Sequence, residues 1–279
     1  MIDRPLSSLT RRSALGRLSA GTLLTLGLWP GVLRAADKGE GGSFRFLVVN
    51  DTHYMSDECG GWLEKAVAQM KTEEAEFCLI GGDLVEKGEE THLATVRDLF
   101  AQLGVPVHVQ IGNHDYLTQT DRSSYEKLFP GRINYWFRHR GWQFVGLDSS
   151  DGLRYERTAI QEPTLSWLDD NLSKLEKAQP TVIFTHFPLG DGVTYRPSNA
   201  DALLERFKPF NLQAIFCGHF HGFTERAFGS ASVTTNRCCA LKRGNHDKSV
   251  EKGYFACAAR NGRVIRRFVE VAAPASRRA

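Results

Sequence analysis

From residue 43 onward, the hydrophobic positions of this chain fall into short continuous runs that alternate with segments of helical spacing. Ser43 to Asn50 is apolar almost throughout and predicts a buried strand, entered from a glycine-rich linker at 39–42. Trp62 to Met70 places Trp62, Leu63, Ala66, Val67 and Met70 on one helical face. Phe77 to Ile80 is a second strand, stopped by Gly81 and Gly82. Thr91 to Leu103 is a second helix, with Leu93, Val96, Leu99, Phe100 and Leu103 on one side. Val105 to Ile111 is a third strand. Strand–helix–strand units of this kind predict parallel pairing. Asn134 to Phe137 and Trp142 to Leu147 flank Arg140-Gly141 and predict an antiparallel turn. Pro163 to Leu175 reads as a helix with proline in the first turn, where its missing N–H is harmless. Thr181 to Thr185 and Ala214 to Cys217 are buried strands separated by a helix near Asp201 to Phe207. Ser230 to Thr235, Tyr254 to Ala259 and Val264 to Val271 close the chain as strands. The pattern is that of one α/β domain with two sheets and no internal boundary, and a disordered tail is expected at 276–279.

The first residues follow a different logic. Arg11-Arg12 precede a moderately apolar segment that ends in Trp29-Pro30, which resembles a twin-arginine export signal. Residues 1–36 are therefore expected to be a signal peptide and 37–279 the mature domain, periplasmic or secreted, with the twin-arginine translocase as its partner during export. The longest apolar stretch, Leu18 to Trp29, falls short of the roughly 18 residues that cross a bilayer, so no membrane span is expected.

Composition changes this picture only slightly. At 42% hydrophobic and 24% charged, the 279 residues are ordinary for a globular protein. The formal charge of +3 is a property of the signal: residues 1–36 carry five basic side chains and one acidic, leaving 30 basic against 31 acidic. A nearly neutral mature chain lacks the broad basic footprint of a nucleic-acid binder, so nucleic acid is not an expected partner. Cys78 and Cys217 lie in apolar runs and read as small core residues. The connectivity of any disulfides is not readable from sequence, and no cysteine has zinc-ribbon spacing.

Polar clusters stand where five of the predicted strands end. They are Asp51-Thr52-His53, Gly82-Asp83, Gly112-Asn113-His114-Asp115, Thr185-His186 and Gly218-His219-Phe220-His221. Sites in α/β sheets form beyond the carboxyl ends of strands, so the five can converge. Asp51 and His53, two apart on extended backbone, are expected to face the same way, as are His219 and His221. Imidazole, carboxylate and amide donors suit iron, manganese or zinc. Seven of them exceed what one ion can use while keeping a position open, whereas two ions sharing a carboxylate can use them all.

In this order the five motifs resemble the calcineurin-like metallophosphoesterase superfamily, over roughly Phe44 to His221. The resemblance implies a four-layer sandwich of two mixed β-sheets flanked by helices, with a dinuclear centre at the strand ends. It implies that Asp51, His53, Asp83 and His221 hold one ion. Asp83 would bridge to a second ion completed by Asn113, His186 and His219. His114 would face a small phosphorylated substrate and assist the leaving group while a metal-bridging hydroxide attacks, and Asp115 would orient His114. Purple acid phosphatases, which are similar, carry a tyrosine three residues after the second aspartate; here Glu86 stands there. The retained His114 separates the enzyme reading from a metal-stabilised scaffold of the same fold, and an exported nuclease is the third alternative.

Other histidines lack such context. His92, His108 and His139 read as helix-surface, strand and turn residues. Gly244-Asn245-His246-Asp247 repeats residues 112–115 letter for letter but follows no apolar strand, so it is expected outside the metal set; a place at the cleft rim, with Lys242, Arg243 or His246 touching an anion, is the lesser alternative. Asp148 is read as a turn residue, and Tyr54 equally as a cleft-lining or a structural one. Substrate selectivity is assigned to rim loops near 54–62, 116–133, 187–200 and 236–252.

Overall fold

A computed structural model describes residues 42–272, so the expected export signal over 1–36 and the expected tail at 276–279 lie outside the described residues. Among the described residues, eleven strands form two sheets. Strands β1 (Phe44–Val49), β2 (Phe77–Gly81), β3 (Val107–Gln110), β10 (Gly253–Arg260) and β11 (Arg263–Glu270) make the first, in the order β11-β10-β1-β2-β3. Strands β4 (Tyr135–His139), β5 (Trp142–Leu147), β6 (Thr181–Thr185), β7 (Leu212–Cys217), β8 (Thr224–Phe228) and β9 (Ala231–Thr235) make the second, in the order β4-β5-β6-β7-β9-β8. The β1-β2-β3 and β5-β6-β7-β9 runs are parallel, with antiparallel strands at their sides, so both sheets are mixed.

Both faces of each central strand are covered, which is why these strands read as continuous apolar runs. In β1, Phe44, Phe46 and Val48 face the other sheet, whereas Leu47 and Val49 face helices. The layer between the sheets is aromatic: Phe46 stacks on Phe77 at 5.2 Å, and Phe144 meets Phe46 edge-on at 5.6 Å. Burying each such ring contributes about 1.5–3 kcal/mol. Helices α1 (Asp57–Lys71) and α2 (Glu90–Ala101) cover the first sheet; α4 (Glu162–Asn171) and α5 (Ala200–Phe207) cover the second. The four layers are those the resemblance implies. No helix among the described residues is long and apolar enough to cross a membrane.

Several boundaries differ from the sequence reading. Helix α1 begins at Asp57, five residues early, because Asp57 and Glu58 in its first turn complement the helix dipole even though Gly60 and Gly61 weaken propensity. The helix expected to reach Leu175 ends at Asn171 and tightens into a 3-10 turn over Leu172–Lys174. The short helix α3 (Ser123–Leu128) and the edge strand β8, whose residues are mostly exposed, went unread because neither shows a clean apolar period.

Candidate metal centre

The loops leaving β1, β2, β3, β6 and β7 bring Asp51, His53, Asp83, Asn113, His186, His219 and His221 together, all of them buried. Their donor atoms form two groups that share one residue. Asp51, His53, Asp83 and His221 make one; Asp83, His186 and His219 make the other, with Asn113 Oδ1 3.2 Å from His186 Nε2. Asp83 Oδ2 stands between them, 3.5 Å from His53 Nε2 and 3.2 Å from His186 Nε2. Its other oxygen accepts the peptide N–H of His114 at 2.8 Å, which fixes the carboxylate across both groups.

Shared orientation does not come from extended backbone, as expected for Asp51 with His53 and for His219 with His221. All four are left-handed, with φ of 54, 42, 63 and 45°, and Asp83 joins them at 50°. Each strand stops there and the chain folds onto its neighbour: Asp51 N–H donates to Gly82 O and His53 N–H to Asp83 O, both at 3.0 Å. Non-glycine residues in this region cost on the order of 1–3 kcal/mol each, and five in one site mark a place where surroundings dictate the backbone. Close approach also explains the preceding glycines. A Cβ on Gly112 would lie 2.2 Å from Asp83 Oδ1, and one on Gly82, itself at φ +84°, would lie 2.7 Å from His186 Nδ1.

The ring nitrogens show what the cluster is suited to hold. Each histidine has its outer nitrogen against an acceptor: His53 Nδ1 on the Glu86 carboxylate (3.1 Å), His186 Nδ1 on Gly81 O (2.9 Å), His219 Nε2 on Tyr155 O (2.8 Å) and His221 Nδ1 on Gly244 O (3.2 Å). These acceptors call for N–H, so in the neutral rings the protons point outward and bare lone pairs point in. The inner nitrogens meet at 3.1 Å for His53 and His221 and 3.2 Å for His186 and His219. Lone pairs gathered this closely with two carboxylates repel one another unless cations sit among them, so the donor set fits two metal ions.

Titration follows the same geometry. Burial lowers His219 to about 3 and also lowers His53. Burial acts likewise on His186, but Asp83 and Asp51 outweigh it and carry that ring up to about 9; Asp51 does the same to His221. Burial raises Asp51 and Asp83, yet His221 for the first and His186 for the second hold both carboxylates well below their ordinary range. The site without cations thus keeps protons where cations would displace them.

Glu86 has a role the sequence did not suggest. Its carboxylate accepts a hydrogen bond from His53 Nδ1–H and forms a two-pronged ion pair with Arg243, whose Nε donates at 2.9 Å. Burial raises this carboxyl, but His53 and Arg243 more than offset it and bring it down to about 2. The Glu86 backbone carbonyl accepts His114 Nδ1 at 2.9 Å, leaving Nε2 of that partly exposed ring toward the cleft.

Asp115 does not orient His114. Its two oxygens accept Gly112 N–H at 2.9 Å and Val85 N–H at 3.1 Å, closing the 3-10 turn Asn113–Asp115, while burial and nearby Asp83 push its carboxyl up. A three-residue turn aims adjacent side chains apart, so the aspartate serves the backbone.

Outside the cluster, His92 contacts Tyr54, His108 stacks on Phe137 at 3.6 Å and His139 pairs with Glu76. His139 ends β4 and is no turn residue. Asp148 Oδ1 accepts Ser150 N–H, a turn contact, and its other oxygen pairs with Arg122. The cleft over the cluster, about 380 Å³, is lined by Arg243 and His246 from one expected rim loop and by Tyr195 from another. It is also lined by Leu153 and Tyr155, from a loop after β5 that the sequence reading left out.

Comparison with known proteins agrees with this arrangement. The model of the calcineurin-like phosphoesterase family matches residues 44–223. A protein of Rhodopseudomonas palustris named a probable cyclic nucleotide phosphodiesterase is 28% identical over 203 residues, 63% of this chain and 71% of that one. One of Psychrobacter arcticus with the same name is 25% identical over 258 residues, 80% and 92% of the two chains. The crystal structure of a dimetal phosphatase from Danio rerio superposes with a TM-score of 0.62 at 18% identity, covering 82% of this chain and 96% of that one, a likeness of fold.

Proposed function

This chain belongs to the calcineurin-like phosphoesterase family, and from that premise we propose that it hydrolyses phosphate esters with two transition-metal ions, iron, manganese or zinc. The observation that carries the reading is the set of four histidines whose protons are tied outward around two buried carboxylates. Asp51, His53, Asp83 and His221 would hold one ion; Asn113, His186 and His219 would hold the other, with Asp83 shared. When bound, such ions acidify water and offset the charge of phosphate oxygens.

The protein's own groups supply the rest. Glu86 fixes the tautomer and plane of His53, and the carbonyls of Gly81, Tyr155 and Gly244 do so for the other rings. The His114 peptide holds Asp83 in its shared position. The His114 ring, anchored through Nδ1 on Glu86 O, keeps Nε2 available; in its charged form it would give that proton to the departing ester oxygen. Relatives named for cyclic nucleotides favour a nucleotide phosphodiester as the substrate.

Mature protein spanning residues 37–279, loaded separately with each metal, should bind two ions per chain and cleave at least one of a simple monoester, a simple diester or a cyclic nucleotide. One ion or none would refute the dinuclear reading, and full loading without cleavage of any ester would favour a scaffold. We also propose export by the twin-arginine route, supported by Arg11-Arg12; replacing both with lysine should retain the protein in the cytoplasm, and unaltered export would refute that route.

A further inference from the structure

Leu153, Tyr155 and Tyr195 stand on the His219 side of the cleft, and none of their side chains supplies a donor atom to the histidine cluster. Tyr155 is 57% exposed and Leu153 42%, two of the six large hydrophobic side chains left in solvent among the described residues. Their exposure is not slack. The Tyr155 carbonyl is tied to His219 Nε2, and the turn before it is closed by Arg154 N–H on Asp151 O at 3.2 Å. Tyr195, at φ 68°, meets the His219 ring edge-on at 5.1 Å and the His246 ring at 5.7 Å. Apolar surface held fixed and uncovered in a concave site, beside convergent polar groups, is what a ligand completes.

We propose that Leu153, Tyr155 and Tyr195 form a shelf for the flat heteroaromatic base of a nucleotide ester, and so determine which phosphate esters this site prefers. The inference rests on the phosphoesterase reading and assigns the side chains that would read the base of its nucleotide substrate. A phosphate over the cluster places the organic part of the ester against one wall or the other. Tyrosine rings take a planar π-system face-on or edge-on, whatever the base. Aromatic rings also attract quaternary ammonium groups, so phosphocholine is the competing ligand in the test. Sugar, glycerol and simple alkyl esters present nothing flat to stack. Tyr155 and Leu153 come from the segment after β5, so the shelf belongs to the same sheet that supplies His186 and His219.

The test uses metal-loaded mature protein and the variants Tyr155→Ala, Tyr155→Phe and Leu153→Ser, with binding of adenosine 5′-monophosphate, phosphocholine and inorganic phosphate measured by calorimetry. Tyr155→Ala should weaken the adenylate roughly tenfold, within the range for one base–aromatic stack, while inorganic phosphate moves less than twofold. Tyr155→Phe should restore adenylate binding, and Leu153→Ser should show a smaller loss. The KM for 3′,5′-cyclic AMP should rise in parallel in Tyr155→Ala. Equal losses for adenylate and phosphate, no loss for either, or phosphocholine outbinding adenylate would overturn the shelf. Tyr155-dependent adenylate binding by a protein that cleaves no ester would sink the phosphoesterase reading and leave the shelf standing. Cleavage of esters with a silent Tyr155→Ala would do the reverse.

Discussion

Two segments of this protein carry the same four letters and do opposite things. In residues 112–115, which follow β3 directly, the glycine is pressed against Asp83, the asparagine puts its oxygen 3.2 Å from His186, and the histidine faces the cleft. In residues 244–247, nine residues past the end of β9, a Cβ on Gly244 would meet nothing within 4 Å. Asn245 is consumed by backbone, accepting Cys238 N–H and donating to Ser249 O and Glu251 O. The last two residues are more alike: His114 and His246 both line the cleft, and Asp115 and Asp247 both accept backbone N–H groups. The second copy still serves the centre through its main chain, since Gly244 O accepts a hydrogen bond from His221 Nδ1–H and His246 N–H donates to His221 O at 2.8 Å. A motif acquires its chemistry from the strand it terminates: a buried parallel strand aims its loop at neighbouring strand ends, and a surface loop closes on itself.

That contrast can be broken at several points. The largest effect is expected at the residue the first copy leans on. Asp83→Asn should remove most of both ions, read by metal analysis, because a neutral amide bridges two cations poorly; retention of two ions would overturn the shared-carboxylate assignment. Next comes the paired test of the two histidines. His114→Ala should keep both metals and lose roughly 10²–10⁴-fold in kcat, the range for a positioned general acid, with a smaller loss for nitrophenyl esters, whose leaving groups need little protonation. His246→Ala should leave metal content unchanged. An equal kcat loss across leaving groups would recast His114 as an electrostatic stabiliser. Glu86→Gln should weaken metal affinity about 10–100-fold, as for other groups that orient a ligand, measured by competition with a chelator. The mildest effect is at the glycine of the second copy: Gly244→Ala should shift unfolding by less than about 0.5 kcal/mol, whereas Gly112→Ala should impair both metal loading and thermal stability.

The legible part of the site was its donors, because each sits within a few residues of a strand whose burial is written in consecutive apolar residues. The strand order was less legible, and the supporting contacts were invisible. Glu86 meets Arg243 across 157 residues, and no local pattern announces such a pair. Asp115 looked like a partner for His114 because it is adjacent in sequence, but a 3-10 turn sends neighbours in different directions. The left-handed backbone of Asp51, His53, Asp83, His219 and His221 was hidden for a related reason: Asp and His tolerate positive φ better than most residues but do not require it, and the crossing of one loop over another imposes it here. The Leu153–Tyr155 shelf was missed because an exposed apolar residue in a loop has no period to detect.

The outward-tied rings have one more consequence. His219 is fastened to the loop that carries Tyr155, and His221 to the loop that carries Arg243 and His246. Whatever grips the inner nitrogens of these rings therefore also tethers both walls of the cleft. Metal loading and wall rigidity become one thermodynamically linked event, so cation uptake should slow amide exchange in 151–157 and 242–247 more than in the strands beneath them.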